Sequence, residues 1–504
     1  MNQVGSVGVN HNATLNHVRV WDPSLIMETR LVYGRRDFKI IENMPAQFSI
    51  SGSGLPTIGN QNYPQYRIDN LYELTNNWSK IGSNHTYRFG FNYLQYRLGS
   101  FFAPASMGVI TYTSFANLLF DRQAQFSQYA GTGFVPAKTH EFQTFFGDDW
   151  RVSQTFTLNL GIRYEYTSAP FGFFSNAKAD VNNWAPRFGF AWAPKANSGL
   201  LGWASGNGKL AIRGGYAISY DQVFQNILLN NARNYPRGVQ VALANLDGQR
   251  LWDPGSRPPA PTPNDYRGNP DLLPVRLFSP NKRISQPYGQ QFSFGFERQL
   301  GGTYAFKVFY VGSRGIKLVR EVEQNLGLYQ AAVNANPSLL QPVVQAYGMT
   351  PTTVGGQPAF LVNPSRGSIL IGDGYAMSTY HSLQLTFEKR LSKNLGFESN
   401  YTWSSFINDS DDILGGQANR TLPSVPFNLR LDRGRSGYDQ PHRWVTNYYY
   451  QLPEFFQRKG LLGRLVDGWR VTGITTLASG TPFSVLNGNN PLGITPGQIS
   501  TVNF

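Results

Sequence analysis

The sequence predicts an all-β chain: an antiparallel transmembrane β-barrel portion of about fourteen strands, with short periplasmic turns and long extracellular loops. Three observations carry this reading. Only 15% of the 504 residues are charged, while 52 Gly, 35 Phe, 27 Tyr and 10 Trp take up the difference, a balance that favours strands and tight connections over helices. Apolar and polar residues alternate with period two in one segment after another. The connections between those segments alternate short and long.

Segment 155–166 (TFTLNLGIRYEY) shows the pattern best. Phe156, Leu158, Leu160, Ile162, Tyr164 and Tyr166 fall on one face, and Thr157, Asn159, Arg163 and Glu165 on the other, because successive strand side chains point to opposite sides. Tyr87, Phe89, Phe91 and Tyr93 repeat it, as do Phe292, Phe294 and Phe296. After the Gly301-Gly302 turn, Tyr304, Phe306, Val308 and Tyr310 continue it, and Leu383, Leu385 and Phe387 lead through a turn at 392–394 into Leu395, Phe397, Tyr401 and Trp403. These are hairpins.

In chain order the strands read as 17–21, 25–36, 66–81, 86–98, 140–151, 155–166, 186–194, 208–221, 287–300, 303–314, 379–391, 395–404, 441–452 and 466–482. Short connections fall at 22–24, 82–85, 152–154, 195–207, 301–302, 392–394 and 453–465. Long ones fall at 37–65, 99–139, 167–185, 222–286, 315–378 and 405–440. A soluble sandwich burying its apolar faces gives no reason for every second connection to be long, and a propeller needs a fixed blade period that is absent. A barrel in lipid, with apolar side outward and polar side toward a lumen, explains both the faces and the loops.

Other classes fare worse. Lys plus Arg number 44 against 30 Asp plus Glu, a net charge of +14, but the charges are dispersed and no basic run marks a nucleic-acid footprint. With no cysteine there are no disulfides, thiolate metal sites or cysteine nucleophiles. The opening MNQVGSVGVN has neither the basic start nor the apolar stretch of a secretory signal. Segment 98–120 is free of charge, but Pro104, Asn117 and scattered Gly, Ser and Thr make it a poor helical span.

Catalytic and metal chemistry is expected to be absent. Asp148 and Asp149 are adjacent on a strand, face opposite sides and cannot work as an acid–base pair, so their expected role is positional. His11, His17, His85, His140, His381 and His442 are expected in or beside turns and loops, solvated and without zinc-ligand spacing. Gly206-Asn207-Gly208-Lys209 resembles the tail of a phosphate loop, yet Trp203 and Leu210 stand where Gly and Ser/Thr are needed, so it reads as a turn entering a strand. Loop 408–415 offers Asp409, Asp411 and Asp412 to a calcium ion, with acidity for solubility as the plainer reading.

Segment 145–166 (FFGDDWRVSQTFTLNLGIRYEY) resembles the strand-turn-strand signature of TonB-dependent outer-membrane receptor barrels. Segments 183–194 (NWAPRFGFAWAP) and 209–221 (KLAIRGGYAISYD), and 432–453 with its core Asp439-Gln440-Pro441-His442-Arg443, are similar to the Oar-like branch of that family, which usually carries a carboxypeptidase-regulatory-like domain. The resemblance runs from about residue 17 onward. It implies a location in the cell outer membrane, contact with outer-membrane lipid and lipopolysaccharide, coupling to the TonB complex through a plug, and import of an extracellular substrate such as an oligosaccharide or a metal chelate. The alternative is a structural or adhesive Oar-like protein without transport. No enzyme, cofactor or catalytic residue is implied. Tyr63, Tyr66 and Trp252 are candidate sugar-stacking aromatics, with membrane-girdle aromatics as the competing reading.

Residues 1–504 are expected to be a barrel fragment without plug, TonB box or a C-terminal aromatic strand, Phe504 reading as loop. Such receptors have about 22 strands. The first strand, at 17–21, is expected to be too short to span, so an open sheet or a strained incomplete barrel is anticipated.

Overall fold

The computed structural model describes residues 4–42, 47–50, 58–59, 63–103, 105–122, 124–169, 178–196, 198–223, 238–246, 251, 253–256, 277–280, 285–323, 351–354, 357–360, 369–411, 423, 429–455 and 460–483. Trp252, Asp412 and Phe504 lie outside them. Among the described residues the main sheet has sixteen strands, two of them short and to the side (Leu277–Pro280 and Gly434–Arg435), and fourteen in one continuous path: β1 (Val4–Asp22), β2 (Leu25–Glu42), β3 (Gln65–Ile81), β4 (His85–Phe102), β5 (Phe134–Arg151), β6 (Phe156–Thr167), β7 (Asn183–Trp192), β8 (Leu210–Tyr220), β9 (Tyr288–Leu300), β10 (Tyr304–Glu323), β11 (Ile369–Ser392), β12 (Leu395–Asn408), β13 (His442–Gln451) and β14 (Arg470–Ala478). Each of the fourteen pairs antiparallel with the next in strict chain order. Among the described residues no ladder joins β14 to β1.

Every expected strand is present, and the connections alternate as read from the sequence. The boundaries differ for a physical reason. β1 has 19 residues, β10 has 20 and β11 has 24, so these strands outrun the apolar band that revealed them. Period two fades where both faces meet water. β1 is therefore long enough to span, contrary to the expectation for 17–21. Two of the short connections, at 195–207 and 453–465, contain the helices α1 (Gly199–Ser205) and α2 (Gly460–Val466) instead of plain turns. Both begin Gly-Leu-Leu-Gly and expose apolar side chains, Leu200 and Trp203 on α1 and Leu461, Leu462 and Leu465 on α2. Gly206 closes α1 in the left-handed conformation at φ 53°, and Asn207 and Gly208 follow with positive φ, so this motif is the expected turn into β8.

Ladder partners share a face, which fixes both sides of the sheet. Phe296 opposes Ile212 and Val308, and Leu160 opposes Phe188 and Asp148. Leu160, Ile162, Phe188, Phe294 and Phe296 all lie on this outer face and are exposed. An aromatic belt marks its turn end, with Trp78 stacked on Phe89 and Trp21, and Tyr304 on Phe387. Segment 98–120 is no helix: it supplies the end of β4, a short strand (Val109–Tyr112) and a six-residue helix (Phe115–Phe120) capped by Ser114. No helix among the described residues is long and apolar enough to cross a membrane.

The dry core lies in the long connections. A four-stranded sheet joins Gln47–Ile50, Val109–Tyr112, Ala124–Gly131 and Gly238–Leu246, drawn from three different loops. Ile110, Tyr112, Ala124, Phe126 and Leu251 are buried there. Tyr112 donates its hydroxyl to Asp121 at 2.7 Å, and burial together with that carboxylate pushes its pKa well above the ordinary value, so it stays a donor.

Two outcomes are expected from this topology. In membranes, Leu158→Cys should react with a lipid-restricted thiol probe and Asn159→Cys with a water-soluble one; the reverse pattern would turn the sheet inside out. Epitope tags near residues 250 and 393 should report from opposite sides of the membrane, so exposure of both on intact cells would break the strand order.

Candidate functional site

The inner face carries the polar chemistry. Asp149 accepts from Asn159 at 2.6 Å and pairs with Arg88 at 2.7 Å. Arg163 pairs with Glu165 at 2.9 Å and also donates to Gln143. Glu73 gathers Arg30 at 3.1 Å, Thr75 at 2.9 Å and Asn92 at 3.2 Å, and Lys307 stands 3.6 Å from Glu388. Apart from Arg163–Glu165 and Thr75–Glu73, which lie along single strands, these bonds run between neighbouring strands, so they hold the wall together while keeping it wettable. Arg187 and Arg213 make no hydrogen bond or ion pair with the described residues and are exposed on this face.

Glycines shape the middle of the face. Gly147 opposes Gly161, Gly189 opposes Gly215, and Gly161 and Gly189 oppose Arg187 and Asn159. Over this bare floor lies a cavity of about 860 Å³ whose walls come from β4 through β11, including Arg88, Asp149, Asn159, Arg163, Arg187 and Tyr380. Eight successive strands can touch one cavity only if the sheet curves around it. A Cβ on Gly147, Gly161 or Gly189 would find its nearest neighbour at 3.6 Å, so the glycines are not forced by crowding and their effect is to keep space open. Gly295 differs. There a Cβ would lie 2.3 Å from the Val308 carbonyl and 2.5 Å from the Phe309 ring, which covers the glycine from the next strand.

Asp148 and Asp149 do face opposite sides. Asp148 binds His85 Nδ1 at 2.8 Å on the outer face near the turn end, and Asp149 belongs to the lumen wall. His85 and His442 open their strands beside a turn and a loop, as expected, whereas His11, His17, His140 and His381 lie inside strands and correct the sequence reading; all six share the parity of the outer apolar residues. Three accept or donate through Nδ1 to a cross-strand tyrosine: His140 to Tyr93 at 2.6 Å, His381 to Tyr310 at 2.6 Å and His442 to Tyr401 at 2.8 Å. Their parity with Phe142, Leu383 and Trp444 was the available signal. Tyr66 lies on the outer face against the Phe101 ring.

In the acidic loop, Asp409 accepts from the Met377 amide at 2.8 Å, and Asp411 accepts from Asn408, Ser436 and Gly437. Asp439 of the 439–443 core is buried, takes the Phe406 amide at 2.9 Å and pairs with Arg435 at 2.7 Å, so that motif folds the last long loop onto β12. No group of three or more His, Asp or Glu stands poised for a metal among the described residues.

Gly295→Ala should destabilise the folded protein by about 1–3 kcal/mol, whereas Gly289→Ala should be nearly silent, since its Cβ would meet only Ser219 Oγ at 3.8 Å. Heat-modifiable gel mobility in a urea series measures both; equal effects would contradict the packing described.

A family model described as an outer membrane beta barrel domain matches residues 3–176 and 172–502. No curated protein matches the chain. Among solved structures, it is similar to the outer membrane transporter YddB from Escherichia coli, with TM-score 0.55 and 10% identity over 96% of this chain and 52% of that one. The siderophore receptor PirA from Acinetobacter baumannii aligns with TM-score 0.48 and 10% identity over 94% and 55%. The pyoverdine outer membrane receptor FpvA from Pseudomonas aeruginosa PAO1 aligns with TM-score 0.47 and 10% identity over 94% and 50%. The chain thus spans about half the length of the solved proteins it matches, and at these identities the likeness is one of fold. On the family match and the fourteen-strand sheet, the chain belongs to the outer membrane beta barrel domain family and resides in the cell outer membrane.

Proposed function

We propose that these residues form part of the barrel wall of a TonB-dependent, Oar-like outer-membrane receptor that imports a large substrate, an oligosaccharide or a metal chelate, through a plugged pore. The observation that carries the reading is the inner face: a wettable, ion-paired wall over a glycine floor with about 860 Å³ of open space. A purely structural barrel gives no reason to keep four neighbouring inward positions free of side chains. The neighbour from Escherichia coli is an outer membrane transporter, and that role is carried over here as part of the proposal. The plug that gates such a pore would come from outside the fourteen strands. Arg213, which makes no hydrogen bond or ion pair among the described residues, and Arg187, whose charge acts on Glu165 without forming an ion pair, favour an anionic cargo such as an acidic sugar or a carboxylate-rich chelate.

A deletion strain, grown on a panel of glycans and siderophores, should lose growth on one class and regain it with the wild-type gene. Gly161→Trp with Gly189→Trp should restore outer-membrane protein but not growth, because the two indoles fill the floor. Full growth with that variant would remove the inner face from the transport path.

A further inference from the structure

Two of the short connections carry the same device. α1 and α2 both open on Gly-Leu-Leu-Gly, and both enter through a glycine of positive φ, 67° at Gly199 and 68° at Gly460. Each then presents apolar side chains outward. Leu200 is 88% exposed and Trp203 74% on α1, and Leu461, Leu462 and Leu465 lie between 61% and 76% on α2. Leu200 and Trp203 share a helix face by their spacing, as do Leu461 and Leu465. Phe455 and Trp469, which flank α2, are exposed as well. In water such patches invite association. α1 stands between β7 and β8, in the middle of the fourteen-strand path, so its exposure is no effect of a sheet edge.

Both helices are fastened on the lipid side of the wall. Arg298 has the parity of Phe294 and Phe296 on the outer face of β9. It donates to the Trp203 carbonyl at 2.6 Å, and its guanidinium lies 5.0 Å from the Trp203 ring centre. Its ladder row continues through Phe306 to Phe387, which stacks on Tyr304 in the aromatic belt. α1 is therefore held at the height of the belt, where hydrocarbon gives way to headgroups. In the other connection Trp469, two residues ahead of Val471, has the outer parity of Tyr450 and Tyr448. Its indole N–H donates to the Leu465 carbonyl at 2.7 Å, and Asp467 takes the Phe455 amide at 2.7 Å, which closes the chain around α2.

Basic groups accompany both helices. Lys195 and Lys209 bracket α1 in the chain, Arg298 lies against it, and Arg464 sits in the last turn of α2. None of the four forms an ion pair among the described residues.

We infer that α1 and α2 are interfacial anchors that seat Leu200, Trp203, Leu461 and Leu465 among the phospholipids of the inner, periplasmic leaflet, where the four cations meet lipid phosphates. Arg298 and Trp203 join α1 directly to the lipid-facing band of the sheet, so the solvent that covers Phe294 and Phe296 also covers the helix. The apolar face of such a helix rests about 5–10 Å into the boundary between headgroups and acyl chains. The two anchors thereby fix the depth of the wall from its periplasmic side. The inference rests on the outer-membrane location and is independent of transport.

Site-directed fluorescence quenching tests it, and a chain without cysteine gives no background label. Leu200→Cys, Leu461→Cys and Leu465→Cys, each in the full chain and labelled with bimane, are reconstituted in vesicles of phosphatidylethanolamine and phosphatidylglycerol. Lys393→Cys, in the plain turn between β11 and β12, is the comparison. The quenchers are iodide on both sides of the bilayer and phospholipid with a nitroxide near the glycerol end of its acyl chain. The three helix positions should be quenched strongly by the nitroxide and should lose the iodide quenching seen at residue 393. A nitroxide near the methyl end of the chain should quench them less, as an interfacial depth requires. If Leu200→Cys loses its heat-modifiable fold, Trp203→Cys reports the same face. Iodide quenching at the helix positions equal to that at residue 393 would put the helices in periplasmic water, and shielding from both quenchers would put a protein surface over them. Either result overturns the anchors.

Discussion

In hydrocarbon there is no water to satisfy a backbone N–H or C=O, and each one left unpaired costs several kcal/mol. The rest of the structure depends on that constraint. It requires fourteen consecutive strands in one continuous ladder, and once the ladder exists, side chains have only two directions to take. One direction meets lipid and selects Phe, Leu, Ile and Tyr. The other meets water and selects Arg, Glu, Asn and Gly. Cross-strand rings over glycines, such as Phe309 on Gly295 and Phe292 on Gly312, then lock the register.

A consequence is that the ordinary hydrophobic core moves out of the sheet. The wall buries few apolar side chains, because lipid takes the place of a protein interior, whereas the small sheet in the long connections has a compact core at Ile110, Tyr112 and Phe126. Buried polar clamps do similar work at the loop end. Asn183 donates to Gln286 at 2.6 Å, and Asp180 takes the Gln286 amide and lies 3.8 Å from Lys317. Arg320 on β10 reaches Asp432 at 2.5 Å. The membrane part is therefore held by its ladder and the outer part by packing and ion pairs.

Legibility followed the same division. Phe156 through Tyr166 could be assigned to faces from spacing alone, because one side of a strand in lipid must be apolar. Strand ends beyond the membrane could not, since Val4–His11 and Ile369–Ser378 have water on both sides and no pattern to show. His140 and His381 were misplaced because a lone polar residue reads as a loop residue until its tyrosine partner, 47 and 71 positions away, is known. Helices α1 and α2 are one to two turns long, too short for a 3.6-residue period to emerge. The glycine floor needed the register: Gly147, Gly161, Gly189 and Gly215 are scattered in sequence and adjacent only across strands.

The central claim is that one face of each strand meets lipid and the other meets water. Spin-label accessibility along 290–297 in reconstituted bilayers tests it directly. Labels at 292, 294 and 296 should favour collision with oxygen dissolved in the lipid, and labels at 291, 293 and 297 with a water-soluble nickel chelate, the two profiles alternating out of phase with period two. Profiles that rise and fall together, or follow a period near 3.6, would contradict the account.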